Sequence, residues 1–235
     1  MAQAGIVVFE KAIGMPEIGT AIGVLATSII VAVFGVMTAN RLLKLGERTG
    51  ALGASLASFG FVMLSAALVF RSVGLVFAWY LSASPVFVLA AAILLIAGFV
   101  GESLGAATVT IGILYATGYT RLAGLWLVIA VFASLVATIY AALRGSFIYF
   151  VAINTVVEAP SFLAAASPFH ESWRRGNEVD QQAFFGFMLG SVAPIAASAV
   201  AAFGIAPAIL VSNLILLLAL LYITSWTNQV LRSTA

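Results

Sequence analysis

Residues 161–182 read SFLAAASPFHESWRRGNEVDQQ and form the only densely charged segment in a chain of long apolar runs. The segment holds the single histidine, His170, and the single aspartate, Asp180. Charged side chains are costly within the hydrocarbon of a bilayer and are rare in membrane spans. The segment therefore limits which parts of the chain can cross a membrane, and it separates apolar runs on its two sides.

The composition indicates an integral membrane protein. Of 235 residues, 63% are hydrophobic and 8% are charged, and the mean hydropathy is +1.19. Soluble domains carry about 25% charged residues, so lipid must be the solvent for most of this surface. We expect a multi-pass protein of the cell membrane with the lipid bilayer as its first partner. The ten basic residues are too scattered for a nucleic-acid-binding face.

Several classes of protein are excluded by what the chain lacks. It has no cysteine, which excludes disulfides, thiolate zinc sites and iron–sulfur clusters. A single histidine cannot supply two axial haem ligands, and a single aspartate cannot form a catalytic aspartate pair. The sequence also has no HExxH, GxSxG or Walker motif. We expect no enzyme activity, no cofactor and no metal site.

The apolar runs predict an all-α, polytopic transmembrane helix bundle that forms one membrane domain, because a span needs about 20 apolar residues. Residues 1–16 are too short to span and predict an interfacial helix, with a frayed terminus as the alternative. In this interpretation Arg71 is an interface anchor that ends the second span, and Glu102 lies in a solvated turn between the third and fourth. The predicted spans are about eight: 18–40, 51–70, 75–100, 104–119, 123–143, 146–166, 183–205 and 207–226.

Seven spans are the alternative. With eight, both termini lie on one side, and the basic loops at 41–48 and 174–175 lie on opposite sides. Omitting 104–119 places both basic loops on the same side, as the positive-inside rule favours.

The charged segment itself predicts a short interfacial helix within the 167–182 loop. Ser167 and Pro168 are typical of a helix start, and Gly176 is typical of a helix end. Asn177 then predicts the cap of the following helix.

Glu158 is the best candidate for a functional residue, because it is the thirteenth residue of the predicted span 146–166. A carboxylate near mid-membrane needs a partner, water or a proton. Asn154 and Ser161 lie about one turn away on the same face, and Pro160 removes an N–H group from the helix. These groups predict an ion- or proton-binding site. The alternative is that the helix ends near Glu158 and its carboxylate lies at headgroup depth.

Small residues four apart predict a helix-packing face in the seventh span, since they let helices approach closely in lipid. The residues of this face are Gly186, Gly190, Pro194 and Ser198. Asn213, deep in the last span, predicts a hydrogen bond between helices.

Three functions are consistent with these patterns. The first is a small permease or ion- or proton-coupled carrier with its site around Glu158. The second is a non-catalytic structural or accessory subunit of a larger membrane complex, with membrane-protein partners or a second copy of the chain against its small-residue faces. The third, less favoured, is a membrane sensory module.

Overall fold

A computed structural model describes residues 16–81, 83–144 and 147–233, with the side chains of residues 137–139, 141–154 and 202 left out of the description. The predicted interfacial helix at 1–16 therefore lies almost wholly outside the described residues. The described chain is all α-helical, as the sequence predicts. Its helices are α1 (Ile18–Thr49), α2 (Leu52–Tyr80), α3 (Pro85–Ala116), α4 (Thr120–Arg144), α5 (Phe147–Arg174), α6 (Glu178–Val200) and α7 (Ile205–Ser233), with a 3₁₀ turn at Ala201–Phe203.

Five of the seven helices, α1, α2, α3, α6 and α7, are long and apolar enough to cross a membrane. The described part of α4 carries a shorter apolar segment, Thr120–Val136. The chain is therefore an integral membrane protein built as a helical bundle. The prediction of eight spans is not confirmed, because the described residues form seven helices.

The error lies between residues 70 and 119. Helix α2 does not end near Arg71 but continues to Tyr80, and α3 is one helix from Pro85 to Ala116 through Glu102. The break falls before Pro85, with Ser84 as the N-cap residue of α3. Proline is favoured at this first helical position because the N–H that it lacks has no partner there in any case.

The prediction of a separate interfacial helix in the 167–182 loop is also wrong, because α5 runs without interruption to Arg174. Pro168 lies inside this helix and leaves the Ala164 carbonyl without its usual N–H donor. The Ser167 hydroxyl donates to that carbonyl at 2.8 Å. Gly176 does end the segment in a left-handed conformation, with φ of 97°, and the Asn177 side chain caps α6 by accepting from the Val179 N–H.

Successive helices are antiparallel, which gives the bundle two distinct ends. Contacts pair α1 and α7 in parallel, since Asn213 bonds to Ser28 and Arg48 bonds to the Leu231 carbonyl. We call the end at Thr49, Ala116, Arg174 and Ser233 the basic end. The end at Ile18, Tyr80, Pro85 and Val200 is the opposite end.

Glycines hold α2 and α3 at close range. A Cβ atom added at Gly60 would lie 2.5 Å from the Val109 backbone nitrogen, and one added at Gly112 would lie 2.3 Å from the Ala57 nitrogen. Only glycine fits at such positions, because the neighbour is backbone and cannot move aside. The close contact continues along the pair to Gly98, which lies against the backbone of Arg71.

Candidate functional site

A buried ion pair joins α2 and α3 in the interior of the bundle. Arg71 Nη1 donates to Glu102 Oε2 at 2.5 Å, and the two side chains are 5% and 3% exposed. The Arg71 guanidinium also lies 5.7 Å from the centre of the Phe99 ring, within the range of a cation–π contact. The predictions that Arg71 is an interface anchor and that Glu102 is solvated are therefore wrong.

Asn213 connects this pair to α1. Its Oδ1 accepts from Arg71 Nη2 at 3.1 Å, and its Nδ2 donates to Ser28 at 2.8 Å and to Thr27 at 3.1 Å. The Ser72 hydroxyl donates to Ser28 at 2.6 Å. The predicted hydrogen bond from Asn213 to another helix is confirmed. These hydrogen bonds join four helices, so the network holds α1, α2, α3 and α7 in register.

Glu158 is enclosed beside the ion pair. Its side chain on α5 is 4% exposed, and its Oε1 atom has no hydrogen-bond partner among the described residues. Glu158, Arg71 and Glu102 line one cavity of about 20 Å³. A polar cavity above about 10–15 Å³ can admit a water molecule. The remaining lining residues are uncharged and come from α3, α6 and α7: Phe99, Pro194, Ala197, Ala208, Ile209 and Ser212.

Local features of the sequence place these charged groups together. Gly98 lets the backbone of α3 approach Arg71 closely, and Glu102 follows Gly98 by one helical turn. Glu158 reaches the same cavity because α5 remains helical through Pro160, although that proline removes an N–H from the helix.

The other predicted site residues are distributed as follows. Ser161 is fully buried, and its hydroxyl donates to the Val157 carbonyl and accepts from Trp126 Nε1. The Asn154 side chain lies outside the described residues. Glu158 therefore shares its cavity with Arg71 and Glu102, and Ser161 is not among the described residues that line it.

The small residues of α6 lie against two helices. Gly186 packs against Ile223 of α7, and Gly190 packs against the Phe162 ring of α5. The Ser198 hydroxyl lies 2.5 Å from the Thr155 hydroxyl of α5. Pro194 lines the cavity with Glu158.

A second, larger cleft of about 310 Å³ lies at the basic end, between the α3–α4 turn and the end of α5. The polar side chains that line it are hydrogen-bonded or ion-paired with other groups of the protein. Tyr119 donates to Glu171 at 2.6 Å, and Glu171 pairs with Arg175. The hydrogen bond from Tyr119, followed by the charge of Arg175, lowers the pKa of Glu171, and the same carboxylate raises the pKa of Tyr119. Asp180 accepts from Ser172 and from Trp226.

Arg71 and Glu102 are the functional candidates that the sequence analysis missed. A pattern in the sequence could have revealed them, because small residues recur every seven positions in both helices. They are Gly53, Gly60, Ala67 and Gly74 in α2, and Gly98, Gly105 and Gly112 in α3. That spacing is typical of a closely packed antiparallel pair. This spacing predicts that 52–80 and 85–116 are two continuous helices and that Arg71 and Glu102 lie close together.

No group of three or more histidine, aspartate or glutamate residues suited to a metal ion occurs among the described residues. Comparison with family models, curated proteins and solved structures finds no match to this chain.

Proposed function

We propose that this protein is a small proton-coupled carrier of the cell membrane, not an enzyme, and that Glu158 is the carboxylate that takes up and releases the proton. The observation that carries the proposal is the enclosure of Glu158, with a free Oε1 atom, in one cavity with a buried ion pair. Ionisable residues within a membrane are costly and commonly mark ion or proton pathways.

The charges of the cavity favour a proton as the species that Glu158 exchanges. Among the described lining residues, Arg71 is the one cation, and Glu102 and Glu158 are the two acids. Arg71 bonds directly to Glu102, so an ionised Glu158 would leave the site with one uncompensated negative charge. Burial of such a charge is strongly unfavourable. Protonation of Glu158 removes this negative charge. A salt bridge with a purely structural role would need only Arg71 and Glu102, without a third ionisable group.

The size of the cavity also supports a proton. A volume of about 20 Å³ admits water but is far below the roughly 300–1,000 Å³ of sites that bind organic molecules. Sodium would need several oxygen ligands, and the described lining residues offer two carboxylates and Ser212, with one carboxylate already bound to Arg71. The transported solute must therefore bind in another conformation or elsewhere along the bundle.

The proposal is tested with purified protein in vesicles that contain a trapped pH-sensitive dye. Proton uptake is followed while panels of sugars, amino acids, organic amines and monovalent cations are added outside. We expect at least one solute to cause proton uptake in the wild type and none to do so in Glu158→Gln. Glu178→Gln is the matched control, because Glu178 is exposed at the start of α6 and its loss should leave uptake unchanged.

Two results would contradict the proposal. One is solute uptake that is equal in wild type and Glu158→Gln, or that depends on sodium instead of protons. The other is isolation of the protein in mild detergent only as part of a stable complex with other chains, with no uptake by the protein alone. That second result would favour the accessory subunit.

A further inference from the structure

The cavity at Glu158 lies closer to one end of the bundle than to the other. Ala208 lines it one turn after α7 begins at Ile205, and Ala197 lines it one turn before α6 ends at Val200. At about 1.5 Å per residue, each alanine is about 5 Å from the end of its helix that lies at the opposite end of the bundle. Ser212, by the same rise, is about 30 Å from the end of α7 at Ser233.

The packing on the basic side of the cavity is wide and aromatic. One apolar cluster there contains Phe61, Phe162, Phe169, Phe187 and Trp226. Phe169 stacks on Phe187 with ring centres 5.6 Å apart and meets Trp226 edge-on at 5.0 Å. No residue of this cluster is among the described residues that line the cavity. Moving a proton or water through it would require several large rings to separate.

On the opposite side, where α6 meets α7, the cavity wall is formed by smaller side chains than those of the aromatic cluster. The second apolar cluster supplies four of the residues that line the cavity, and those on α6 and α7 are Ala197, Ala208 and Ile209. The backbone there is also interrupted. Pro194 lies inside α6 and removes an N–H from it. The helix then passes into the 3₁₀ turn Ala201–Phe203, and Gly204 follows with φ of 117°.

From these three observations we infer that Glu158 exchanges its proton with the solution at the opposite end of the bundle, through the alanine-lined contact between α6 and α7. This inference rests on the proposed function for the identity of the exchanged species. The outer part of α6, beyond Pro194, is the element that opens the route, and the aromatic cluster keeps the basic side closed in this conformation.

Cysteine labelling tests the route directly, because the chain has no cysteine of its own and gives no background. Ala197→Cys and Ala183→Cys are a matched pair on α6. Both alanines are buried, and each lies within two turns of its own end of the helix. Ala208→Cys and Ala219→Cys form a second pair on α7, in which Ala219 is a buried reference deeper in the bundle. Each variant is placed in lipid nanodiscs, where both ends meet water, and treated with a charged, membrane-impermeant maleimide.

We expect Ala197→Cys and Ala208→Cys to be labelled, while Ala183→Cys and Ala219→Cys remain unlabelled under conditions that label the exposed control Glu178→Cys completely. Equal labelling within the pairs, labelling confined to Ala183→Cys and Ala219→Cys, or no labelling of all four would overturn the inference. Melting temperatures close to wild type show that each variant is folded.

The labelling experiment and the transport experiment test the two hypotheses independently. If Ala197→Cys and Ala208→Cys react as expected but Glu158→Gln transports as wild type does, the route exists and the proposed role of Glu158 is wrong. If transport depends on Glu158 but the labelling pattern is reversed, the carrier stands and the direction of access is wrong.

Discussion

At the scale of single residues, Arg71 and Glu102 show where a sequence misleads in a membrane protein. A charged residue beside an apolar run usually lies at the end of a span, and that rule predicted breaks near both residues. The structure pairs the two charges in the bundle interior at 2.5 Å, so both helices continue past them. Hydropathy reports each residue alone and cannot reveal that the partner lies on another helix. Glu158 was found because it lies near the middle of the predicted span 146–166, with Asn154 and Ser161 about one turn away.

The ion pair makes a prediction for stability. Arg71→Met should destabilise the protein by about 3–5 kcal/mol, because it leaves the buried carboxylate of Glu102 without its cation. The double variant Arg71→Met/Glu102→Met should recover most of that loss, since both charges are gone. Unfolding of the purified variants in one detergent measures the difference. A double variant that is no more stable than Arg71→Met would contradict this view of the pair.

The bond between Tyr119 and Glu171 makes a prediction for pH. It needs protonated Tyr119 and ionised Glu171. The pKa of Glu171 is lowered, so the bond contributes fully at neutral pH and is lost as the pH falls through that lowered pKa. The pKa of Tyr119 is raised, so the contribution is also lost as the pH rises above the ordinary tyrosine value near 10.

Ultraviolet absorbance of tyrosinate checks this assignment. The difference between wild type and Tyr119→Phe should titrate at a higher pH than an ordinary tyrosine. Replacement of the partner, in Glu171→Gln, should bring that titration back toward 10. A Tyr119 signal that is unchanged in Glu171→Gln would show that the bond does not hold the proton.

At the scale of helices, the sequence predicted the class of structure and most of the helical segments, and it failed at two kinds of boundary. Pro168 follows a serine and looked like a helix start, yet Ser167 satisfies the carbonyl that this proline leaves free and α5 continues. The α2–α3 pair was divided wrongly because Arg71 and Glu102 were expected to lie at span ends, and small residues four apart do not predict this contact. The spacing that matters there is seven, and it brings Gly60 within contact of the Val109 backbone.

Glycine substitution tests the α2–α3 contact. Gly60→Ala should destabilise the bundle by about 1–3 kcal/mol, the cost of overpacking, because the new Cβ meets backbone that cannot retreat. Gly124→Ala is the matched control within a helix, since nothing lies within 4 Å of its added Cβ. It should be neutral or slightly stabilising. Equal melting temperatures for the two variants would refute the close contact.

At the scale of the whole molecule, seven helices place the two ends of the described chain on opposite sides, whereas eight spans would have placed them together. Seven of the ten basic residues then lie toward one end: Arg41, Lys44, Arg48, Arg121, Arg174, Arg175 and Arg232. The sequence could not choose between seven and eight spans, because that choice depended on the hidden pairing of Arg71 with Glu102. With the pairing known, the distribution of charge becomes one-sided.

That distribution predicts the orientation of the protein. Basic residues near span ends favour the cytoplasm, so the basic end and Ser233 should face inward and Ile18 outward. A green fluorescent protein fused after Ala235 should fluoresce, and alkaline phosphatase fused there should be inactive. Active phosphatase at that position would reverse the orientation. It would also place the α6–α7 route on the cytoplasmic side.

The most direct test of the whole account is whether Glu158 gains and loses a proton within the bundle. Infrared difference spectra of the protein in lipid, recorded as the pH is changed, separate the C=O stretch of a protonated carboxyl group from the bands of a carboxylate. We expect a carboxyl band that changes with pH in the wild type and is absent from Glu158→Gln, while Glu178→Gln retains it. A wild-type difference spectrum that Glu158→Gln reproduces in full would contradict the account.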